Sequence, residues 1–414
     1  MAREIMGVPM RGAIQDGSVG PSGRGGPSLA ELRARVNEAH ATVKELTAMV
    51  RDTRARLSAD NLKRCARQRD VRALDIVEDD VCRARVLKGH TRKVYAIDWC
   101  QSDPNKLVSA SQDGWLVVWN AFTGNKLFSI KQYNPWVMTC AYAPAGNLVA
   151  RGGLDNLCAI YSLSQSRMDR EGNLPPVRML QGHKGYVACC KFVEDSQILS
   201  ASGDKTCILW DVPGNRRLHT FGGDGGSGTG HTADVMSISV SPSNSHIFVS
   251  GSCDNTAKLW DMRTPGTAQI TFHAHSQDVN AVQFHADGLT FGTGSDDGTC
   301  ALFDRRSAHE LVRYGDDDVG GSSNRRRRPL HIVTSIAFSH SGRILFSGYS
   351  NHKCRAYDTL TGKLLFDLVH DGQVSAVAMC PDGTALATAS WDQQVRIWAP
   401  FHQRRQSMGN QHRK

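Results

Sequence analysis

"SASGDKTCILWD", residues 200 to 211, ends on an aromatic six positions after an acid, and its frame recurs along the chain. The other copies are SASQDGWLVVWN (109–120), GGLDNLCAIYS (152–162), SGSCDNTAKLWD (250–261), TGSDDGTCALFD (293–304), SGYSNHKCRAYD (347–358) and TASWDQQVRIWA (388–399). Their aromatic anchors, Trp119, Tyr161, Trp210, Trp260, Phe303, Tyr357 and Trp398, stand 41 to 54 residues apart. The acids are Asp113, Asp155, Asp204, Asp254, Asp297 and Asp392, with Asn351 in the sixth copy. A fixed period of this size marks a repeat protein, whose units associate because none can bury its apolar surface alone. Runs such as LVSAS, LVVW and VYAIDW alternate or are β-branched, and Asp-Gly, Asp-Asn and Pro-Asp-Gly turn signals divide them. Each unit therefore reads as four short strands.

The period, a Gly-His pair ahead of most copies and the Trp-Asp ending resemble WD40 repeats, which implies an all-β, seven-bladed propeller over residues 83–400. In that family a His, a hydroxyl, an Asp and a Trp form a buried network inside a blade. The resemblance places His90, Ser111, Asp113 and Trp119 in one such network, His183, Ser202, Asp204 and Trp210 in a second, and His231, Ser252, Asp254 and Trp260 in a third. These carboxylates are expected to be structural, since a buried charge needs partners. The sixth copy, with Tyr349 and Asn351, is expected to have the weakest network. The pattern stops at Trp398, which leaves blade seven without an outermost strand. Residues 83–87, RARVL, supply one ahead of the first Gly-His pair and would seal the ring.

Of the formal charge of +9, four units come from Arg325–Arg328 and four from a basic, flexible tail at 401–414, so no positive face covers the main domain. Nucleic acid is not an expected partner. The 12 cysteines show no zinc or Cys-x-x-Cys spacing and read as reduced, buried side chains. No catalytic residue, metal ligand or cofactor site is marked; there is no Gly-x-x-x-x-Gly-Lys-Ser/Thr loop, and the Gly-rich insert 222–230 reads as flexible. Neither a secretory signal nor a span of about 18 apolar residues is expected.

Residues 1–27 are rich in Gly, Pro and Ser and read as a disordered extension. The segment 28–72 then opens with a capping box, Ser28 and Glu31, and changes period. Leu29, Leu32, Val36, Ala39, Val43, Leu46, Val50, Thr53 and Leu57 follow one another by steps of three and four, the seam of a coiled coil. A partner helix is favoured over packing on the chain's own propeller.

A coiled-coil helix directly before seven WD40 blades resembles the β subunits of heterotrimeric G proteins. The strings KVYAIDW, LVSASQDG, WVMTCAYAPAGN, GYVACCKF, DVMSISV and VSGSCDNTAKLWD carry the resemblance, which spans residues 29–399. It departs from the family at Trp115, Arg151, the Gly-rich insert and the Arg run. The resemblance implies a non-catalytic scaffold that pairs with a γ subunit through the helix. It also implies binding of a GDP-loaded α subunit and, after release, of effectors, at the cytoplasmic face of the plasma membrane. No lipidation box ends the chain (GNQHRK), so attachment is expected through partners.

The segments HTRKVYAIDW (90–99) and HTADVMSISV (231–240) keep one frame but vary at the third and fifth places after the His. Those slots, with the position before the network Asp, are expected at one rim of the ring. They hold Lys93, Tyr95, Trp136, Met138, Tyr186, Asp234, Met236, Asp278 and Asn280, together with Leu154, Cys253, Asp296 and Trp391, and Asn156 just after its acid joins them. Aromatics, methionines and acids repeated in this way suit a binding face, and the resemblance assigns them to the α subunit and effectors. It assigns Trp115, Val117, Asn125 and Lys126 to the α subunit's N-terminal helix. The alternative is a generic WD40 scaffold or a ubiquitin-ligase substrate receptor that dimerises through its helix. Copurification of a small prenylated helical chain, rather than a self-dimer, separates the two. The Arg325–Arg328 run reads as a solvated loop insert or a contact for anionic lipid. On the lipid reading, alanine at all four arginines weakens co-sedimentation with acidic vesicles and leaves pairing through the helix intact.

Overall fold

The computed structural model describes Leu74, Ile76 and Asp80–Pro400, apart from residues 133, 165–173, 224–228, 274 and 316–330. The expectations for 1–27, the helix of 28–72, the Arg325–Arg328 run and the tail 401–414 lie outside these residues, as does most of the Gly-rich insert. The described residues form seven four-stranded antiparallel sheets. Blade one is typical: Val94–Trp99 is innermost, followed outward by Lys106–Ser111, Trp115–Asn120 and Lys126–Lys131. The innermost strands of blades two to seven are Val137–Tyr142, Val187–Glu194, Val235–Ser241, Val279–Phe284, Val333–Phe338 and Val374–Met379. Each touches the next, and the seventh touches the first, which closes a propeller. Hydrogen bonding between the two ends of the propeller sequence seals it. The strand Val81–Lys88 pairs antiparallel with Gln394–Pro400 and becomes the outermost strand of blade seven.

The apolar core lies in seven seams between neighbouring sheets rather than at one centre. Strand Trp115–Asn120 explains why its sequence is apolar on both faces. Leu116 and Val118 pack with Val137 and Val149 of blade two, whereas Val117 and Trp119 pack with Leu87, Val395 and Ile397 of blade seven. A strand buried on both sides reads as a continuous apolar run. Close approach at the seams sets residue size. A Cβ on Gly152 would stand 2.5 Å from Val187 Cγ1, and one on Gly294 would stand 2.5 Å from Val333 Cγ1. The first residue of every innermost strand is valine, and all seven are buried.

An innermost strand has one edge free of ladder partners, which exposes unpaired amides. Side chains of the preceding blade satisfy several of them. Tyr142 N donates to Asp98 Oδ2 at 2.8 Å, Cys190 N to Thr139 Oγ1 at 3.3 Å, Val282 N to Ser237 Oγ at 3.1 Å and Val377 N to Ser335 Oγ at 3.0 Å. Lys191 Nζ reaches from blade three to the other oxygen of Asp98, 2.7 Å away, so one carboxylate ties three blades.

Leu87, on the closing strand, is 1% exposed within the seam between blades seven and one. Leu87→Ala is expected to lower unfolding free energy by about 2–5 kcal/mol. Ala at the exposed neighbour Lys88 should cost under about 0.5 kcal/mol; urea midpoints of the two variants make the comparison.

Candidate functional site: a composite rim built on buried blade networks

At one end of the ring, the turn between the second and third strands is held by an Asp in every blade but the sixth, which has Asn351. In six of the seven blades this Asp accepts the amide two residues on, as Asp113 does from Trp115 N at 3.0 Å and Asp392 from Gln394 N at 3.0 Å. The residue in between has positive φ in every blade: Gly114, Asn156, Lys205, Asn255, Gly298, His352 and Gln393. Gly and Asn adopt that conformation readily, whereas Lys205, His352 and Gln393 are held in it at some cost.

The same carboxylate also reaches back to the lead-in loop of the innermost strand. His90 Nδ1 lies 3.1 Å from Asp113 Oδ2, and Thr91 N donates to that oxygen at 2.9 Å. His90 Nε2 lies 2.7 Å from Ser109 Oγ, which also accepts the Trp119 indole N–H at 2.7 Å. One neutral tautomer satisfies the whole chain of bonds, from indole to hydroxyl to imidazole to carboxylate. Blade three repeats it with His183, Ser200, Asp204 and Trp210, blade four with His231, Ser250, Asp254 and Trp260, and blade seven with His370, Thr388, Asp392 and Trp398. In blade five His275 bridges Thr293 and Asp297, and Phe303 takes the anchor position.

The bridging hydroxyl is therefore Ser109, Ser200 or Ser250, not Ser111, Ser202 or Ser252. Strand alternation puts both positions on one face, but the earlier one lies a pleat deeper, within reach of the indole. Ser111, Ser202 and Ser252 stay in the network without bridging it: they accept the amides of Asp113, Asp204 and Asp254 and donate to the lead-in carbonyls of Lys93, Gly185 and Ala233. The deeper hydroxyl also recurs in the repeat, and that recurrence is the signal sequence reading passed over. Ser, His and Asp in this order resemble a hydrolytic triad. The serines, however, are 0% exposed and capped by tryptophan, so no substrate reaches them. In blade six a different set fills the space: Tyr349 and Tyr357 hydroxyls lie 3.2 Å apart, with Arg355 over the Tyr349 ring.

On this frame stands the rim. The buried first valine of each innermost strand fixes its two neighbours to face outward, and the backbone joins them to the adjacent turn. Gln112 N donates to Lys93 O, Cys253 N to Asp234 O, Asp296 N to Asp278 O and Trp391 N to Gln373 O. All fourteen rim positions named from the sequence are exposed or half-buried. They divide into two parts. Across blades seven, one and two, Lys93 Nζ sits 3.5 Å over the Trp391 ring, and Tyr95 stacks on Trp136 and meets Trp391 edge-on. Trp136 and Leu154 are 41% and 49% exposed, and Met138 is half-buried beside them in sequence.

Across blades three to five the rim is acidic. The Tyr186 hydroxyl donates to Asp234 Oδ2 at 2.9 Å and lies 3.5 Å from Met236 Sδ, and Asn280 bonds Asp296. Burial and Asp234 push the Tyr186 phenol well up. Burial, then Asp278, pushes the Cys253 thiol up to about 12, which leaves it protonated and a poor nucleophile. In the second patch Asn125 and Lys126 are exposed and Trp115 is half-buried, but Val117 is not a surface residue. It is 2% exposed and belongs to the seam with blade seven, because alternation from Leu116 turns it into that sheet's inner face. The positions Leu29, Leu32, Val36, Ala39, Val43, Leu46, Val50 and Leu57 lie outside the described residues.

A sequence model described as "G protein beta WD-40 repeat protein" matches residues 34–399. The chain belongs to that family. It is 48% identical over 384 residues to the guanine nucleotide-binding protein subunit beta of Arabidopsis thaliana, covering 90% of this chain and 98% of the relative. The corresponding proteins of Oryza sativa subsp. japonica and Nicotiana tabacum are each 47% identical, over 379 and 383 residues, with 90% of this chain covered and 97% and 98% of theirs. The matched family is one of WD40-repeat proteins, in keeping with the seven-bladed ring.

The networks also set a pH dependence. Burial raises the Asp113 carboxyl, but His90 and the Thr91 amide outweigh it and hold the group at about 2; Asp204, Asp254, Asp297 and Asp392 are lowered in the same way. Burial lowers His231 and His370 despite their carboxylate partners. Carboxylates more acidic in the folded chain contribute stability that is complete above their unfolded pKa of about 3.9 and lost as pH falls toward 2. The two imidazoles, less basic when folded, contribute fully above about 6.5 and progressively less below it. Melting temperature should therefore hold steady between about pH 7 and 8, decline below about 6.5 and fall steeply below about 4. A maximum near pH 5 in thermal unfolding would contradict this.

Proposed function

We propose that this chain is the β subunit of a heterotrimeric G protein, a non-catalytic scaffold that binds a GDP-loaded α subunit on its rim. The observation that carries the reading is the exposed cluster of Trp136, Tyr95, Trp391 and Lys93, set on a rigid ring in a chain of this family. Rigid aromatic surface with a cation above it is suited to anchoring a partner at little cost in conformational entropy. The acidic side, with Asp234, Asp278 and Asp296, supplies charge that orients the guest.

The segment 28–72 pairs with a γ subunit as a coiled coil, and lipidated partners hold the complex at the cytoplasmic face of the plasma membrane. When GTP reorganises the α subunit, release frees the same rim for effectors. One surface serving two guests makes their binding mutually exclusive. Nucleotide hydrolysis belongs to the α subunit.

Combined substitution Trp136→Ala, Met138→Ala and Trp391→Ala should weaken binding of a GDP-loaded α subunit by about a hundredfold or more, as loss of central aromatic anchors does elsewhere. Surface plasmon resonance on the copurified β–γ pair measures the loss, and an unchanged melting temperature shows that the ring is intact. Undiminished affinity in a folded triple variant would overturn the reading.

A further inference from the structure

Blade two keeps the repeat frame but replaces three of the four network residues together. Gln132 takes the place of the His in space, although it stands five residues before the buried valine rather than four; Arg151 stands where other blades have the bridging hydroxyl, and Tyr161 at the anchor that is tryptophan in four of them; only Asp155 is retained. The three replacements are 5%, 4% and 4% exposed. The hub is now an amide oxygen. Gln132 Oε1 accepts Arg151 Nε at 3.0 Å and the Tyr161 hydroxyl at 2.6 Å, while Gln132 Nε2 donates to Ile130 O at 3.3 Å. The remaining side of the guanidinium grips the retained acid, with Nη1 at 2.7 Å from Asp155 Oδ1 and 2.6 Å from Oδ2. A serine at 151 could not span these partners.

Asp155 is also the residue that shapes the turn. Its Oδ1 accepts Leu157 N at 3.3 Å, Asn156 N donates to Gly153 O at 3.3 Å, and Asn156 has a φ of 62°. Leu154 rides on that turn. The turn lies directly on the backbone of Trp136, since a Cβ on Gly153 would stand 2.8 Å from the Trp136 carbonyl oxygen, and Trp136 itself has a φ of 73°. Trp136 and Leu154 are the two rim positions whose large apolar side chains are truly exposed. Both therefore depend on where the Asp155 carboxylate is held.

We propose that Arg151 is a positioning residue for partner recognition: its guanidinium, fixed between Gln132 and Asp155, holds the turn that presents Leu154 beside Trp136. The proposal rests on the rim being the α-subunit site. The physical reason is that a buried carboxylate stripped of its counter-charge must find water. Without Arg151, Asp155 turns outward, the Gly153–Asn156 turn opens, and the Leu154–Trp136 pair loses its spacing.

The test is a mutant cycle on the β–γ pair, with GDP-loaded α subunit as the probe and thermal melting as the check on folding. Arg151→Met should weaken binding by about tenfold, whereas Arg151→Lys, which keeps a cation beside Asp155, should stay within about threefold. In a Trp136→Ala/Leu154→Ala background, adding Arg151→Met should cost less than about twofold, because the residues it positions are already gone. If Arg151→Met does not fold, Arg151→Met with Asp155→Asn leaves no buried charge unpaired and takes its place with the same expected loss. Unchanged affinity in the folded single variant, a full additional loss in the double-alanine background, or a loss in Arg151→Lys equal to that in Arg151→Met overturns the positioning role. Normal affinity of Trp136→Ala/Leu154→Ala itself would instead overturn the rim reading, so the two failures are told apart.

Discussion

The ring depends on one pairing, that of Val81–Lys88 with Gln394–Pro400. Seven sheets whose core lies in the seams between them have no central mass to hold them, so an unsealed seam would leave apolar faces of two blades in water. The closing strand places Leu87 in that seam, and Trp99 Nε1 then donates to Ala378 O across it at 3.0 Å. Closure also assembles the binding face. Lys93 and Trp391 lie at opposite ends of the propeller sequence, yet they meet as a cation–π pair because blade seven is locked against blade one. The fold and the rim thus share one constraint.

Within a blade, the buried carboxylate does two jobs through one group. It shapes the turn by accepting the amide two residues on, and it anchors the lead-in loop through the imidazole and the first loop amide. A buried acid with both oxygens engaged rigidifies its surroundings, and its ionisation is favoured by its partners rather than by exposure. This rigidity is what a recognition surface needs, because the rim side chains sit one or two residues from the atoms so held. The surface can vary in sequence while its backbone does not. Blade two shows that the partners may change so long as the carboxylate keeps a counter-group: Arg151, at the hydroxyl position, takes over the contact that a histidine makes elsewhere, and Gln132 joins it to Tyr161.

Repeat spacing, strand pattern and turn chemistry were legible because each follows from local rules applied seven times. The missing outermost strand of blade seven could be located from the count of strands alone. Two readings went astray for a common reason. Ser111 and Ser109 both carry a hydroxyl on the same face, and only the depth of the indole within the sheet selects the latter. Val117 lies two residues after the half-buried Trp115, but its face is covered by Leu87, Val395 and Ile397 from the two ends of the propeller sequence, a contact no local pattern contains. Arg151 was visible as a departure from the family and Tyr161 as an anchor; the part played by Gln132 was not, since nothing in the spacing ties an amide, a guanidinium and a phenol together.

The sequence by itself determined the number of blades, the order of strands, the turns that need a left-handed residue, and the positions flanking each buried valine. These are set by alternation, by the stereochemistry of Asp-Gly and Asp-Asn turns, and by a repeat that cannot bury itself singly. Tertiary structure alone decided which hydroxyl joins each network, which apolar faces vanish into seams, and how the rim divides into an aromatic, cationic side and an acidic side. Those outcomes depend on distances between chain segments far apart in sequence, and distance across a closed ring is fixed only once the last strand has met the first.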